Sequence, residues 1–397
     1  MTRPDRLLRA ALLAAAAGMA LLAPPALAQN EQTEEMVDQA ESLTPDDPVG
    51  EEQPVAPLAG KSDLVVAPIP LSNPSLGTGL AATAVLYYNP NAGPELWSSG
   101  LAAGYTSSKS WFVGGYHKMS LADDRIRFMG VAGYTQANLD FYGIGADAGE
   151  AGFSVELHNR IIGGYADVQV QPFTRGLLRH LHVGGRVAVT DLSASVDLPV
   201  EDLPDFVPDR IERSSTIVKI GPGFTYDSLD NAQNPSKGVL VEGRLMYGAG
   251  WLGSDYSHHK FDLAANGFFR IGERSVLAIR RQLCTASEET PYYDLCMFGR
   301  GADLRGYEAG RYRDRATWAI QAEWRRKLAG KFGAVAFFGV GGVAEGAKAI
   351  WKDSTVLTSG GVGVRYLASA SANVNLRADV AYGAEGFAFY FGIGEAF

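Results

Sequence analysis

Two cysteines, Cys284 and Cys296, are all that the 397 residues contain, which excludes a disulfide-dense secreted scaffold. After residue 28 no stretch reaches the roughly 18 consecutive apolar residues that a membrane helix needs, so helical spanning is excluded. Basic runs are missing too. With 35 Lys and Arg against 44 Asp and Glu, the chain carries a formal charge of −9, which argues against a nucleic-acid partner. Catalytic signatures are equally scarce, with no G-x-S-x-G elbow, no G-x-x-x-x-G-K-[ST] phosphate loop and no H-E-x-x-H. Gly143 to Ala148 loosely fits a dinucleotide fingerprint, but no helix is read after it. His180 and His182 share a face of one expected strand and read as polar lining rather than metal ligands. No histidine or second cysteine pair flanks Cys284 and Cys296 at zinc spacing. The expectation is a non-enzymatic protein with no cofactor and no metal.

What is present begins with a leader. Arg3, Arg6 and Arg9 precede an apolar run from Ala10 to about Ala23, and Ala26-Leu27-Ala28 offers small residues for cleavage before Gln29. The run is too short for an anchor, and Pro24-Pro25 breaks it. Residues 1–28 are therefore read as a signal peptide. Its three Arg and one Asp leave with it, taking the net charge from −9 to −11. Residues 29–62 read as an acidic, disordered linker that holds little able to form a core, with one weak helical stretch at Glu34 to Leu43.

From residue 63 onward the pattern has period two. Trp318, Ile320, Ala322 and Trp324 alternate with Gln321, Glu323, Arg325 and Lys327. Leu376, Ala378 and Val380 alternate with Asn375, Arg377 and Asp379. One face suits hydrocarbon, and the other carries charges of both signs, which suits a hydrated lumen better than a sealed core. A mean hydropathy of −0.04 is ordinary for such alternation and does not argue for a soluble protein. Strands are expected at 64–70, 77–88, 97–106, 110–120, 125–138, 155–170, 180–191, 216–228, 237–250, 257–272, 274–286, 317–328, 331–342, 359–368, 372–382 and 386–397. Spacers after even-numbered strands are mostly tight, and several after odd-numbered ones are long, at 139–154, 192–215, 287–316 and 343–358. The fold class is all-β, a transmembrane antiparallel β-barrel of about sixteen strands over residues 63–397. Phe387, Phe389, Phe391, Ile393 and Phe397 would form one lipid-facing stripe that ends the chain and serves as a C-terminal assembly signal. Both cysteines are placed in one surface excursion, where an oxidising compartment favours a disulfide over two free thiols.

Four motifs then stand out. Gly299-Arg300-Gly301-Ala302-Asp303-Leu304-Arg305-Gly306-Tyr307 lies in the longest loop, and Phe141-Tyr142-Gly143-Ile144-Gly145 follows the fifth strand. A turn is marked by Asp227, Asp230 and Asn231, then Pro235, Lys237 and Gly238. The chain ends Phe-Gly-Ile-Gly-Glu-Ala-Phe. Together these resemble the BamA/TamA superfamily, whose membrane part is the bacterial surface antigen domain, over roughly residues 64–397. The resemblance implies a sixteen-stranded barrel with its sixth surface loop folded into the lumen. There Leu304, Arg305, Gly306 and Tyr307 would form the loop motif, with Arg305 held by wall carboxylates, Glu323 being one. The second carboxylate of the family pattern should fall at residue 339, where this chain has glycine, so Glu323 would hold Arg305 alone or the loop would be looser. Residues 29–62 leave no room for a POTRA domain, so the likeness is to barrel-only members.

Pro68 and Pro70 sit two apart in the first strand, so both missing N–H groups face the same neighbour. If that neighbour is the last strand, the closing seam lacks two hydrogen bonds, each worth roughly 0.5–1.5 kcal/mol. If it is the second strand, the seam is ordinary. The expected function is membrane biogenesis, the insertion or movement of proteins or lipids through that seam. A passive solute pore and a structural surface barrel are the rivals. Expected partners are the outer-membrane bilayer, the barrel assembly machinery for the protein's own insertion, and a second copy in a homo-oligomer.

Overall fold

The computed structural model describes residues 62–73, 75–91, 97–196, 214–231, 234–299, 303–369 and 373–397. The signal peptide, almost the whole acidic linker with its short helix, and Arg300 to Ala302 lie outside the described residues.

Alternation builds the wall. The strands run β1 (Ser62–Asn73), β2 (Gly77–Tyr88), β3 (Trp97–Thr106), β4 (Trp111–Leu121), β5 (Ile126–Phe141), β6 (Val155–Val170), β7 (Leu181–Val196) and β8 (Ser214–Asp227). They continue with β9 (Gly238–Gly248), β10 (His259–Ile271) and β11 (Ser275–Ala286). A two-residue ribbon follows, β12 (Cys296–Met297) with β13 (Arg313–Asp314). The wall resumes as β14 (Ala316–Lys327), β15 (Phe332–Ala344), β16 (Thr355–Ser369), β17 (Val374–Gly383) and β18 (Gly386–Ile393). Omitting the ribbon, these form one sixteen-stranded antiparallel sheet in chain order, curled into a nearly closed barrel. The count and most boundaries agree with the period-two reading.

Side chains obey the same rule. Leu64, Val66, Leu80, Leu101, Val113, Ile320 and Trp324 are exposed on the outer wall, while Gln321, Glu323, Arg325, Arg365 and Asp379 are buried inside. No described helix is long and apolar enough to cross a membrane, which says nothing against crossing by strands.

Three local differences have physical causes. A short helix, α1 (Ala146–Ala151), follows Gly145 where none was expected. It sits between antiparallel strands, not in a βαβ unit, so the dinucleotide reading gains nothing from it. His180 lies in a 3-10 turn (Leu177–His180) beside Tyr226, whereas His182 is on β7 and faces the Asp124 carbonyl at 3.1 Å, so the two do not share a strand face. Phe397 does not join the lipid-facing stripe. Phe389 and Phe391 are 54% and 51% exposed on β18. At Gly394 the chain takes φ 79°, a conformation open to glycine, and leaves the sheet. Glu395 is drawn inward to Arg365 Nε at 2.7 Å, and the Phe397 ring comes to rest 6.5 Å from Phe268 inside the barrel. The side chain of Ile393 lies outside those described.

Candidate functional site: a loop tethered inside the lumen

The segment between β11 and β14 is the long insertion, and its middle does not stay on the surface. Leu304, Arg305 and Tyr307 are buried completely or nearly so, packed in the lumen with Phe298, Tyr312, Val343 and Leu357. A guanidinium there has lost its water and needs an acceptor on each nitrogen. Arg305 does so with Nη1 donating to Asp379 Oδ2 at 2.6 Å, Nη2 to Glu323 Oε2, and Nε to Gln321 Oε1 at 3.3 Å. Its Cζ lies 3.5 Å from the centroid of the Phe337 ring. The flanking backbone is also held. Ser359 Oγ donates to the Arg305 carbonyl, Gly306 N–H donates to Tyr390 Oη at 2.9 Å, and Tyr307 Oη donates to the Thr358 carbonyl at 2.7 Å. Four wall strands, β14, β16, β17 and β18, thus grip three consecutive loop residues.

The expectation of a lone carboxylate is corrected. Asp379 on β17 supplies the second one, and Gly339 has another use. A Cβ at Gly339 would stand 2.2 Å from Leu304 Cδ1, so the bare backbone of β15 makes room for the motif leucine. The carboxylates serve more than one cation. Glu323 Oε1 accepts from Arg325 Nε at 2.7 Å, and Asp379 Oδ1 accepts from Arg365 Nη1 at 2.5 Å. Arg325 also donates to the Phe397 main-chain oxygen at 2.6 Å.

A second anchor lies nearer the loop's start, with reversed polarity. Asp294 is a buried anion that accepts from Lys219 Nζ of β8 at 2.8 Å. It meets His258 Nε2 at 2.6 Å, with Lys260 Nζ of β10 at 3.8 Å. Burial alone would raise its pKa. Lys219, Lys260 and His258 outweigh that and hold it well below the ordinary value of 3.8. Nothing in the sequence marks this cluster, because Lys219 and Asp294 are 75 residues apart with no shared motif. A disulfide joins Cys296 in the ribbon to Cys284, which lies on β11 and not in the excursion, so it staples the loop to the wall.

Glu308 ends the tethered stretch. Tyr142 Oη donates to its Oε2 at 2.8 Å, and its N–H donates to Glu385 Oε2 at 3.1 Å. Burial, with Asp140 and Glu385 nearby, pushes its pKa up to about 7.

The turn motif organises itself. Leu229 N–H donates to Asp227 Oδ1 at 3.0 Å, while Ser236 and Lys237 N–H groups donate to Asp230 Oδ1 at 2.8 and 3.0 Å. Pro235 is buried, and Gly238 opens β9. Asn231 accepts from Asn373 Nδ2 at 3.4 Å and Asn234 donates to Asn373 Oδ1 at 3.3 Å, so this turn reaches across the mouth to the β16–β17 turn.

At the seam, β1 and β18 are the two ends of the hydrogen-bonded sheet, with Ser72 Oγ donating to the Phe389 carbonyl at 3.3 Å. The direction of the prolines follows from register. Thr78 uses both main-chain groups on Ser107, its N–H on Oγ at 3.0 Å and its carbonyl on the N–H at 2.6 Å. Even-numbered residues of β2 therefore turn toward β3. Their partners in β1, Pro68 opposite Ala82, Pro70 opposite Leu80 and Ser72 opposite Thr78, turn away from β2. No three His, Cys, Asp or Glu side chains among the described residues converge to hold a metal.

Residues 133–397 match the Omp85 superfamily domain. No curated protein matches the chain. Among solved structures, BamA from Haemophilus ducreyi lacking POTRA domains 1–3 is similar with a TM-score of 0.57 at 13% identity, over 84% of this chain and 70% of that one. CdiB from Escherichia coli is similar with a TM-score of 0.61 at 11% identity, over 88% of this chain and 66% of that one. CdiB from Acinetobacter baumannii gives 0.54 at 12% identity, over 84% and 59%. The chain thus spans less than two thirds of each CdiB chain, and at these identities the likeness is one of fold.

Proposed function

The chain belongs to the Omp85 superfamily of outer-membrane β-barrels, and from that premise we propose that it assists the insertion or translocation of proteins or lipids through the β1–β18 seam. The observation that carries this reading is the direction of Pro68 and Pro70. Two adjacent positions on the seam-facing edge of β1 offer no N–H to β18. Each missing bond weakens closure by roughly 0.5–1.5 kcal/mol, and more where lipid surrounds the edge. A passive pore is disfavoured by the loop packed in the lumen. In this reading residues 1–28 are a cleaved leader and 29–62 an acidic linker. Phe389 and Phe391 serve the protein's own assembly into the bilayer by the cell's barrel assembly machinery. Catalysis has no part in it.

The test uses Ser72→Cys with Phe389→Cys, bridged by a short bismaleimide in the barrel reconstituted in liposomes. Closure should abolish client insertion and lipid scrambling while leaving ion conductance unchanged. Undiminished insertion and scrambling in the bridged protein would refute the seam.

A further inference from the structure

The tether's charge network ends in a cavity of about 120 Å³ at the short-turn mouth of the barrel, roofed by Asn234 and Asn373. Its lining includes Arg325, Lys327, Lys331 and Arg365, with Glu395 the acidic member. Arg325 and Arg365 are 7% and 4% exposed, and each keeps one nitrogen without a hydrogen bond, Nη1 of Arg325 and Nη2 of Arg365. Arg365 Nη2 lies 3.9 Å from Glu323 Oε2, beyond hydrogen-bond reach. A buried guanidinium nitrogen without an acceptor costs free energy, so two of them beside one cavity mark a place for an anion. Charge points the same way. Among the described residues the ion pairs of Arg305, Arg325 and Arg365 go to Glu323, Asp379 and Glu395, Arg377 adds a buried cation with Nε and Nη1 unpartnered, and no carboxylate pairs with the Lys327 and Lys331 ammonium groups at the rim.

We infer that this cavity is a binding site for a phosphate group, carried by a lipid headgroup or free in solution. The planar, side-on carboxylate position is already filled, since Glu395 Oε2 accepts from Arg365 Nε at 2.7 Å and lies 3.7 Å from Arg325 Nε. What remains is one nitrogen from each arginine and two ammonium groups, Lys327 at the end of β14 and Lys331 in the β14–β15 turn. A tetrahedral oxyanion satisfies divergent donors better than a second flat carboxylate does. Phe332, which also lines the cavity, is exposed on the outer wall, so an acyl chain could lie beside a bound headgroup. The site does not depend on the seam and stands if the seam proves closed.

The full-length barrel, purified in a maltoside detergent, is titrated calorimetrically with sodium phosphate at matched ionic strength and, separately, with dihexanoyl-phosphatidylglycerol. Saturable binding is expected in at least one titration. Lys327→Gln with Lys331→Gln, both exposed and harmless to folding, should weaken it by about tenfold or more, and Arg325→Gln should remove it. Lys348→Gln with Lys352→Gln, in the β15–β16 loop, should leave it unchanged. Binding of the lipid alone assigns the phosphate to a headgroup, and binding of both in competition assigns it to the shared group; either supports the site. Absence of saturable binding in both titrations, or equal affinity in the wild type and the Lys327/Lys331 variant, overturns it.

Discussion

The lumen loop is held at two places whose chemistry is mirrored. At the Arg305 anchor a single cation enters a wall of acids; at the Asp294 anchor a single anion enters a wall of bases. The first lies deep, where Arg305, Glu323 and Asp379 are all fully desolvated and shared with Arg325 and Arg365. The second stands alone near the loop's root, where Lys219 and His258 reach one carboxylate. The contrast teaches that the Arg305 anchor fixes the loop's path, whereas the Asp294 anchor closes its root. Losing Arg305 leaves two buried carboxylates short of a cation, whereas losing Asp294 leaves Lys219, Lys260 and His258 without their shared anion.

Five variants would break or sharpen that contrast. Arg305→Ala should cost the most, about 3–5 kcal/mol, because it leaves Glu323 and Asp379 short of a cation inside the barrel. Thermal unfolding in detergent should show it, with Arg305→Lys recovering little, since an ammonium cannot reach both carboxylates as a fork does. Replacing both Cys284 and Cys296 by serine should cost about 2–3 kcal/mol through the freed loop, and reduction of the wild type should reproduce it. Asp294→Asn should cost about 2 kcal/mol at neutral pH. Because the folded carboxyl is held below its ordinary value, its contribution is complete above pH 3.8 and fades as pH falls further. The two melting curves should then converge in strong acid. Glu308→Gln should have the smallest effect and the opposite sign. Its raised pKa means the folded form prefers the proton, so the cost of ionisation grows from about pH 4.5 and is complete above about 7. After allowance for its partial exposure, the variant should gain about 1 kcal/mol at pH 8 and nothing at pH 4. A melting temperature for Asp294→Asn as low as that of Arg305→Ala would show the anchors to be equals.

Much of this was legible in the sequence where the rule is local. Alternation along single strands located the wall, and the Leu304–Tyr307 element located the loop and one of its carboxylates. What stayed hidden depends on pairing across the barrel. Gly339 reads as a missing acid until Leu304 is seen in its place, and Asp379 reads as one more lumen residue until the loop arrives beside it. Phe397 fits the stripe by spacing, but spacing cannot show that Gly394 turns and that Arg325 and Arg365 draw Glu395 inward. The Asp294 cluster joins three separate stretches and has no signature at all.

Moving the second acid from β15 to β17 has a mechanical consequence. Arg305 and its neighbours bolt β14, β16, β17 and β18 to one plug, so the last five staves turn as a single block. If the wall ever parts, the leaf that swings is the β1 side, which the plug does not hold.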